Sequence, residues 1–219
     1  MPQPDPHAGQ PVLRVGPPLE EARLAVIAIH GRGASADDIL GLVREIPAGD
    51  IAFFAPQAAG FTWYPFSFLA PIPQNEPHLS SALRLIATLV DDIVASGVPH
   101  ERVGVIGFSQ GACLSLEFAA RHARRYAAVI ALSGGLIGPP GTPRDYRGTM
   151  DGTPVFLGCS DIDPHIPVER VRESADVFRR MGAAVDERIY PRMGHTVNGD
   201  ELKAIQRLLN NPSSLIGNP

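Results

Sequence analysis

Apolar runs of strand length alternate along this chain with longer segments in which apolar residues recur every three to four positions. The short runs at 23–29, 51–55, 102–106, 127–132, 154–158 and 185–189 read as strands, with a weaker seventh at 12–15. Four of the six stronger runs lead into segments of helical period. The sequence Ser-Ala-Asp-Asp from Ser35 reads as a capping box opening a helix to about Glu45. Asn75 and Glu76 before Pro77 suit the start of a long helix to about Ser96, because proline is tolerated in a first turn. Further helices are predicted at 110–124, 168–180 and 200–209. Near-continuous apolar strands that alternate with amphipathic helices imply an α/β architecture: a mostly parallel central sheet with helices on both faces.

One segment breaks the alternation. Residues 56–78 carry five prolines and many turn formers, which predicts a long loop. Phe61, Trp63, Tyr64, Phe66 and Phe68 place five of the fourteen aromatic residues within eight positions of it. Two readings stand side by side. These rings pack the loop onto the core, or Trp63, Tyr64 and Phe66 form the apolar wall of a ligand cleft.

Composition narrows the classes of partner. With 219 residues, 44% of them apolar, the chain can bury one substantial core, so a single domain over 11–210 is expected between tails at 1–10 and 211–219. A net charge of -4 without a Lys/Arg cluster argues against nucleic acid or an anionic membrane as a charge-held partner. A small-molecule ligand and a homodimer both stay open. No stretch approaches the ~20 apolar residues that cross a bilayer, and the start has no apolar signal-peptide core. Cys113 and Cys159 lie in apolar contexts and read as reduced core thiols, which suits the cytoplasm.

The chemistry centres on Gly107-Phe108-Ser109-Gln110-Gly111, a G-x-S-x-G between a predicted strand and a predicted helix. The string alone is weak, but its context is that of a sharp turn that lifts a serine hydroxyl clear of a sheet. The helix that follows offers free N–H groups and a positive dipole end to a developing anion. A serine hydroxyl needs a base, and the base needs a group that fixes its tautomer.

Only His122, His165 and His195 follow Ser109. His122 falls inside a helix, and His165 lies two residues from Asp163, too local to bridge acid and serine. His195, in a turn after the last strand, is the expected base. Asp161 and Asp163 both fall at the carboxyl end of a strand, where parallel sheets place their sites. Asp163 precedes proline and is held toward extended backbone. Asp161, Asp163 and His165 together offer too few ligands to predict a metal, and no cofactor is expected. An earlier loop, His30-Gly31-Arg32-Gly33, lies between strand and helix, so the N–H of Arg32 can join that of Gln110 in facing an oxyanion.

Taken together, HGRG at 30–33, GFSQGA at 107–112, D-P-x-I-P at 163–167 and GHT at 194–196 resemble the phospholipase/carboxylesterase family of α/β-hydrolases, which includes acyl-protein thioesterases. The resemblance spans about 22–209. It implies an α/β-hydrolase fold without a large cap domain, with Ser109 as nucleophile, Asp163 as acid, His195 as base and the backbones of Arg32 and Gln110 as oxyanion donors. Hydrolysis of a carboxylic ester or thioester of a small or medium acyl group through an acyl-enzyme is the implied activity; a non-catalytic ligand-binding module on the same fold and an interaction protein that uses the aromatic loop are the alternatives. The loop reads Thr-Trp-Tyr-Pro-Phe where family members commonly have Ser-Trp-Tyr-Asp, so lysophospholipid or acyl-protein substrates are not carried over.

Overall fold

The computed structural model describes residues 5–46 and 49–210. Its centre is a seven-stranded sheet, in chain order β1 (Val12–Val15), β2 (Leu24–Ile29), β3 (Ile51–Pro56), β4 (Val103–Phe108), β5 (Ala128–Leu132), β6 (Pro154–Ser160) and β7 (Ala184–Tyr190). Across the sheet the order is β1-β3-β2-β4-β5-β6-β7. Only β1 runs antiparallel, pairing Val12 with Pro56 at one edge. The six others are parallel, with β4 in register beside β2 (Ile27 with Val105) and β5 (Ile106 with Ile130).

The strand side chains divide between two apolar layers, as a pleat requires. Ala25, Ile27 and Ile29 of β2 face one layer, which α2 (His78–Ala95), α3 (Gln110–Arg121) and α4 (Val168–Arg180) cover with residues such as Ile86, Leu114 and Phe178. Leu24, Val26 and Ala28 face the other, covered by α1 (Ala36–Arg44) and α5 (Gly199–Asn210) through Ile39, Leu40, Ile205 and Leu208. Each such large aliphatic side chain contributes about 1.5–3 kcal/mol when fully buried. The central strands β2 to β6 are covered on both faces, which explains why they read as unbroken apolar runs.

Local chemistry accounts for the ends of the helices. Ser35 caps α1 and Asp38 reaches back to it, the reciprocal pair expected from the sequence. The helix α2 starts after Pro77, which is its N-cap residue, and of the two residues before it Glu76 accepts the N–H of Ser80 in the first turn. Asn75 is buried and holds the preceding loop instead, accepting from Phe66 N and donating to Ser67 O. The helix α3 ends at Arg121, three residues earlier than predicted.

The N-terminal segment requires a correction. Residues 5–10, expected as part of a tail, are anchored on the body through His7, which is fully buried. The His7 backbone donates to Ser81 Oγ, its Nε2 donates to Trp63 O and its Nδ1 accepts from Ala59 N. Residues 1–4 and the tail expected at 211–219 lie outside the described residues. Among the described residues no helical cap is inserted, and no helix is long and apolar enough to cross a membrane.

Candidate active site

The loops after β2, β4, β6 and β7 all emerge at the carboxyl edge of the parallel strands, on either side of the central strand β4. The tightest of these connections is the turn from β4 into α3. Ser109 occupies it alone, with φ 56° and ψ -119°, a backbone conformation that side chains rarely adopt. Its N–H is tied to Leu132 O of β5 at 2.9 Å. The flanking glycines are dictated by contact. A Cβ on Gly107 would lie 2.3 Å from the Gly111 backbone, and one on Gly111 would lie 2.1 Å from Ile29 O.

Three side chains from three loops converge here. The Ser109 hydroxyl donates to His195 Nε2 at 2.8 Å, and His195 Nδ1 donates to Asp163 Oδ2 at 2.7 Å. The other Asp163 oxygen accepts the N–H groups of His165 at 2.8 Å and Ile166 at 3.1 Å. Burial of the Asp163 carboxyl would raise its pKa, but the hydrogen bond from His195 and those two N–H groups outweigh burial and hold it below its ordinary value. Asp161, the other candidate acid, does not reach His195. It accepts from Arg192 N at 2.7 Å, and Ser160 Oγ accepts from Gly194 N at 3.1 Å, so these two side chains hold the turn that carries His195. His165, set aside on sequence grounds as a base, packs edge-on against the His195 ring at 4.8 Å. That contact joins residues 30 positions apart, and the sequence carries no local signal for it.

The HGRG loop meets the serine turn directly, with a Cβ on Gly31 falling 3.3 Å from the Ser109 Cβ. Its histidine is a structural tie. His30 is buried, donates from Nδ1 to Gly31 O at 2.7 Å and accepts from Ala58 N at Nε2. Burial lowers its pKa, which keeps the ring neutral in this role. Among the described residues, no turn or cap hydrogen bond takes the N–H of Arg32 or of Gln110.

The side chains of these same two residues grip the aromatic loop. The Arg32 guanidinium donates to Thr62 Oγ1, Tyr64 O, Pro65 O and Phe66 O at 2.7–3.0 Å. The Gln110 amide accepts from Trp63 N at 2.9 Å and donates to Tyr64 O at 2.8 Å.

The three aromatic residues expected to form a cleft wall divide. Trp63 is fully buried and donates from its indole to His30 O, so it packs the loop onto the core and lines no cleft around Ser109. Tyr64 and Phe66 do line a groove of about 460 Å³ with Phe68, Phe108 and Cys113, and Ser109 and His195 open into it. Phe66 is the exposed member. A second groove of about 480 Å³ lies past Gly31, Phe108 and His195, between α1 and the residues after His195. Both cysteines are free and buried, with burial pushing each thiol up to about 12.

Beneath the His195 turn lies a buried carboxyl. Glu201 and Asn198 cap α5 reciprocally: Asn198 Oδ1 accepts from Glu201 N, and Glu201 Oε2 accepts from Asn198 N. Glu201 Oε1 has no partner among the described residues, and burial raises the group from 4.5 to about 7 against the opposing pull of the Asn198 N–H. The folded protein therefore keeps this proton where the unfolded chain has lost it. Its contribution to stability is full below pH 4.5 and is lost as pH rises through about 7. Glu201→Gln is expected to remove that decline, on the order of 2 kcal/mol. Urea midpoints at pH 5 and pH 8 test it: the gap between them should narrow in the variant, and an unchanged gap would exclude Glu201 as its source.

A parallel sheet of this order, with a serine at the strained turn after its central strand and a histidine and an aspartate on later loops, defines an α/β-hydrolase. A profile of the phospholipase/carboxylesterase family matches residues 11–212, and the chain belongs to that family. Among solved structures, a phospholipase/carboxylesterase from Dyadobacter fermentans is similar, with 42% identity, a TM-score of 0.89 and coverage of 92% of this chain and 97% of that one. Acyl-protein thioesterase 1 of Saccharomyces cerevisiae is 26% identical over 87% of this chain and 93% of its own length. Acyl-protein thioesterase 1 of Gibberella zeae is 31% identical over 55% of this chain, and the match spans only about half of that relative, 52%.

Proposed function

We propose that this protein is a serine hydrolase that cleaves carboxylic esters, and thioesters of similar size, through an acyl-enzyme. The observation that carries the reading is the continuous relay from Ser109 Oγ through His195 to Asp163, at 2.8 and 2.7 Å. In the first half-reaction His195 Nε2 takes the Ser109 proton as Oγ attacks the carbonyl carbon, then returns it to the departing alcohol or thiol. Water repeats the sequence in the second half, releasing the acid and restoring Ser109. Asp163 holds the tautomer that leaves Nε2 free to accept, and it stabilises the imidazolium that forms. The N–H groups of Arg32 and Gln110 face the carbonyl oxygen as it gains charge, and each such donor is typically worth ~3 kcal/mol of barrier.

Family membership and the thioesterase relatives support the hydrolase class, and the aromatic groove beside Ser109 favours small or medium acyl groups. A fluorophosphonate probe tests the reading at the level of one atom. The probe is expected to label a single peptide, at Ser109, at stoichiometry near one, and prior incubation with an ester substrate should slow the labelling. An unlabelled native protein would exclude an activated serine and with it this mechanism.

A further inference from the structure

Among the described residues, two grooves meet at His195, and they differ in what they reach. The first contains Ser109, Arg32 and Gln110 together with the aromatic loop. The second reaches His195 and continues along Thr196 and Val197, but Ser109 is not part of its wall. An acyl-transfer reaction sends the two halves of an ester to different places: the acyl half bonds to Ser109, whereas the leaving half only needs the proton that His195 carries.

We propose that the second groove seats the leaving alcohol or thiol, and that it selects neutral or cationic apolar leaving groups over anionic ones. The inference rests on the hydrolase reading above and adds the substrate class. Ile39 and Leu42 of α1, with Phe108 and Val197 opposite, make the walls apolar. Asp38 is the only carboxylate among the described residues of the wall, and neither lysine nor arginine is present there.

The Asp38 charge is fixed in place, because its Oδ2 accepts both the N–H and the hydroxyl of Ser35 at 2.8 and 2.7 Å. Those bonds also hold the carboxyl below its ordinary range, so it is ionised at neutral pH. A phosphorylated or polyphosphorylated leaving group would meet a fixed like charge here, with no lysine or arginine among the described residues of the wall to receive it. A benzyl-type alcohol would meet apolar walls, and a quaternary ammonium alcohol would meet an opposite charge. Asp38 is exposed, so this preference should weaken as salt screens it.

The test uses three butyrate esters that share one acyl group, those of benzyl alcohol, choline and glycerol 3-phosphate, followed by pH-stat at low ionic strength. The benzyl and choline esters are expected to exceed the phosphate ester in kcat/KM by about tenfold or more, with the choline advantage shrinking in 0.5 M salt. Asp38→Asn should narrow the choline-to-phosphate ratio at least threefold, and Leu42→Lys, on a half-buried position of α1, should narrow it further. Circular dichroism checks that each variant is folded, and having two variants keeps the test decisive if one is not. The ranking of acyl lengths with a fixed alcohol should be the same in wild type and both variants. A phosphate ester cleaved as fast as the benzyl ester would overturn the proposal. So would substitutions that reorder acyl lengths and leave the alcohol ranking untouched, since they would make this the acyl groove. Absence of turnover with every ester together with absence of fluorophosphonate labelling at Ser109 would instead overturn the hydrolase reading beneath it.

Discussion

Ser109→Ala is expected to lower turnover of p-nitrophenyl butyrate by roughly 10⁴- to 10⁶-fold while leaving the fold intact. The hydroxyl has one protein partner among the described residues, His195 Nε2, and no structural hydrogen bond depends on it. Alanine adopts the turn with the same strain as serine, so thermal stability should change little. Ser109→Gly separates chemistry from strain more sharply. At φ 56° a glycine relieves the unfavourable backbone, which predicts a gain of about 1 kcal/mol together with the same loss of turnover. Stopped-flow release of p-nitrophenol gives the first result, as loss of both burst and steady state. Thermal unfolding gives the second, as a midpoint that rises in the glycine variant. Retention of full turnover by either variant would remove Ser109 from the reaction.

Gly111→Ala is expected to lose at least about 3 kcal/mol of stability, enough to lower the unfolding midpoint by roughly 6–12 °C in a chain of this size. The added methyl would lie 2.1 Å from Ile29 O and 2.6 Å from His30 O. Both are main-chain atoms, so no side chain can rotate away. Relief requires α3 to lift from β2, and that movement separates the Arg32 loop from Gln110. Residual folded protein should therefore also lose kcat. Gly41→Ala serves as the contrast: nothing lies within 4 Å of its added methyl, it sits on the exposed side of α1, and alanine favours helix there by about 0.8–1 kcal/mol. Equal midpoints for the two variants would refute the contact argument.

The strands and the serine turn were legible in the sequence because each rests on local signals. Apolar runs announce strands buried on both faces, and Gly107 and Gly111 mark the place where backbone meets backbone. That the loops carrying Ser109, Asp163 and His195 meet was legible too, because parallel strands deliver their following loops to one edge, while the choice of Asp163 rests on the family resemblance. Features set by long-range contact were not. His7 reads as tail until Ser81 and Trp63, 74 and 56 residues away, close around it. Trp63 and Phe66 look alike in an aromatic run, yet one turns into the core and the other to solvent, and this local alternation has no period to read. Asp161 and Asp163 share one strand end, and only the path of the His195 turn decides that the first holds its backbone and the second its ring.

The hold of Arg32 and Gln110 on the aromatic loop falls almost wholly on main-chain atoms: Tyr64 O, Pro65 O, Phe66 O and Trp63 N, with Thr62 Oγ1 the one side-chain partner. At Phe66, whose ring is exposed and whose backbone takes the hydrogen bonds, the path of the segment does not depend on the side chain. Position 66 is therefore a place where directed evolution can vary the character of the groove without disturbing Arg32 and Gln110, whose N–H groups are proposed as oxyanion donors. Position 32 is its opposite, since one substitution there would release the loop beside the N–H proposed to face the oxyanion.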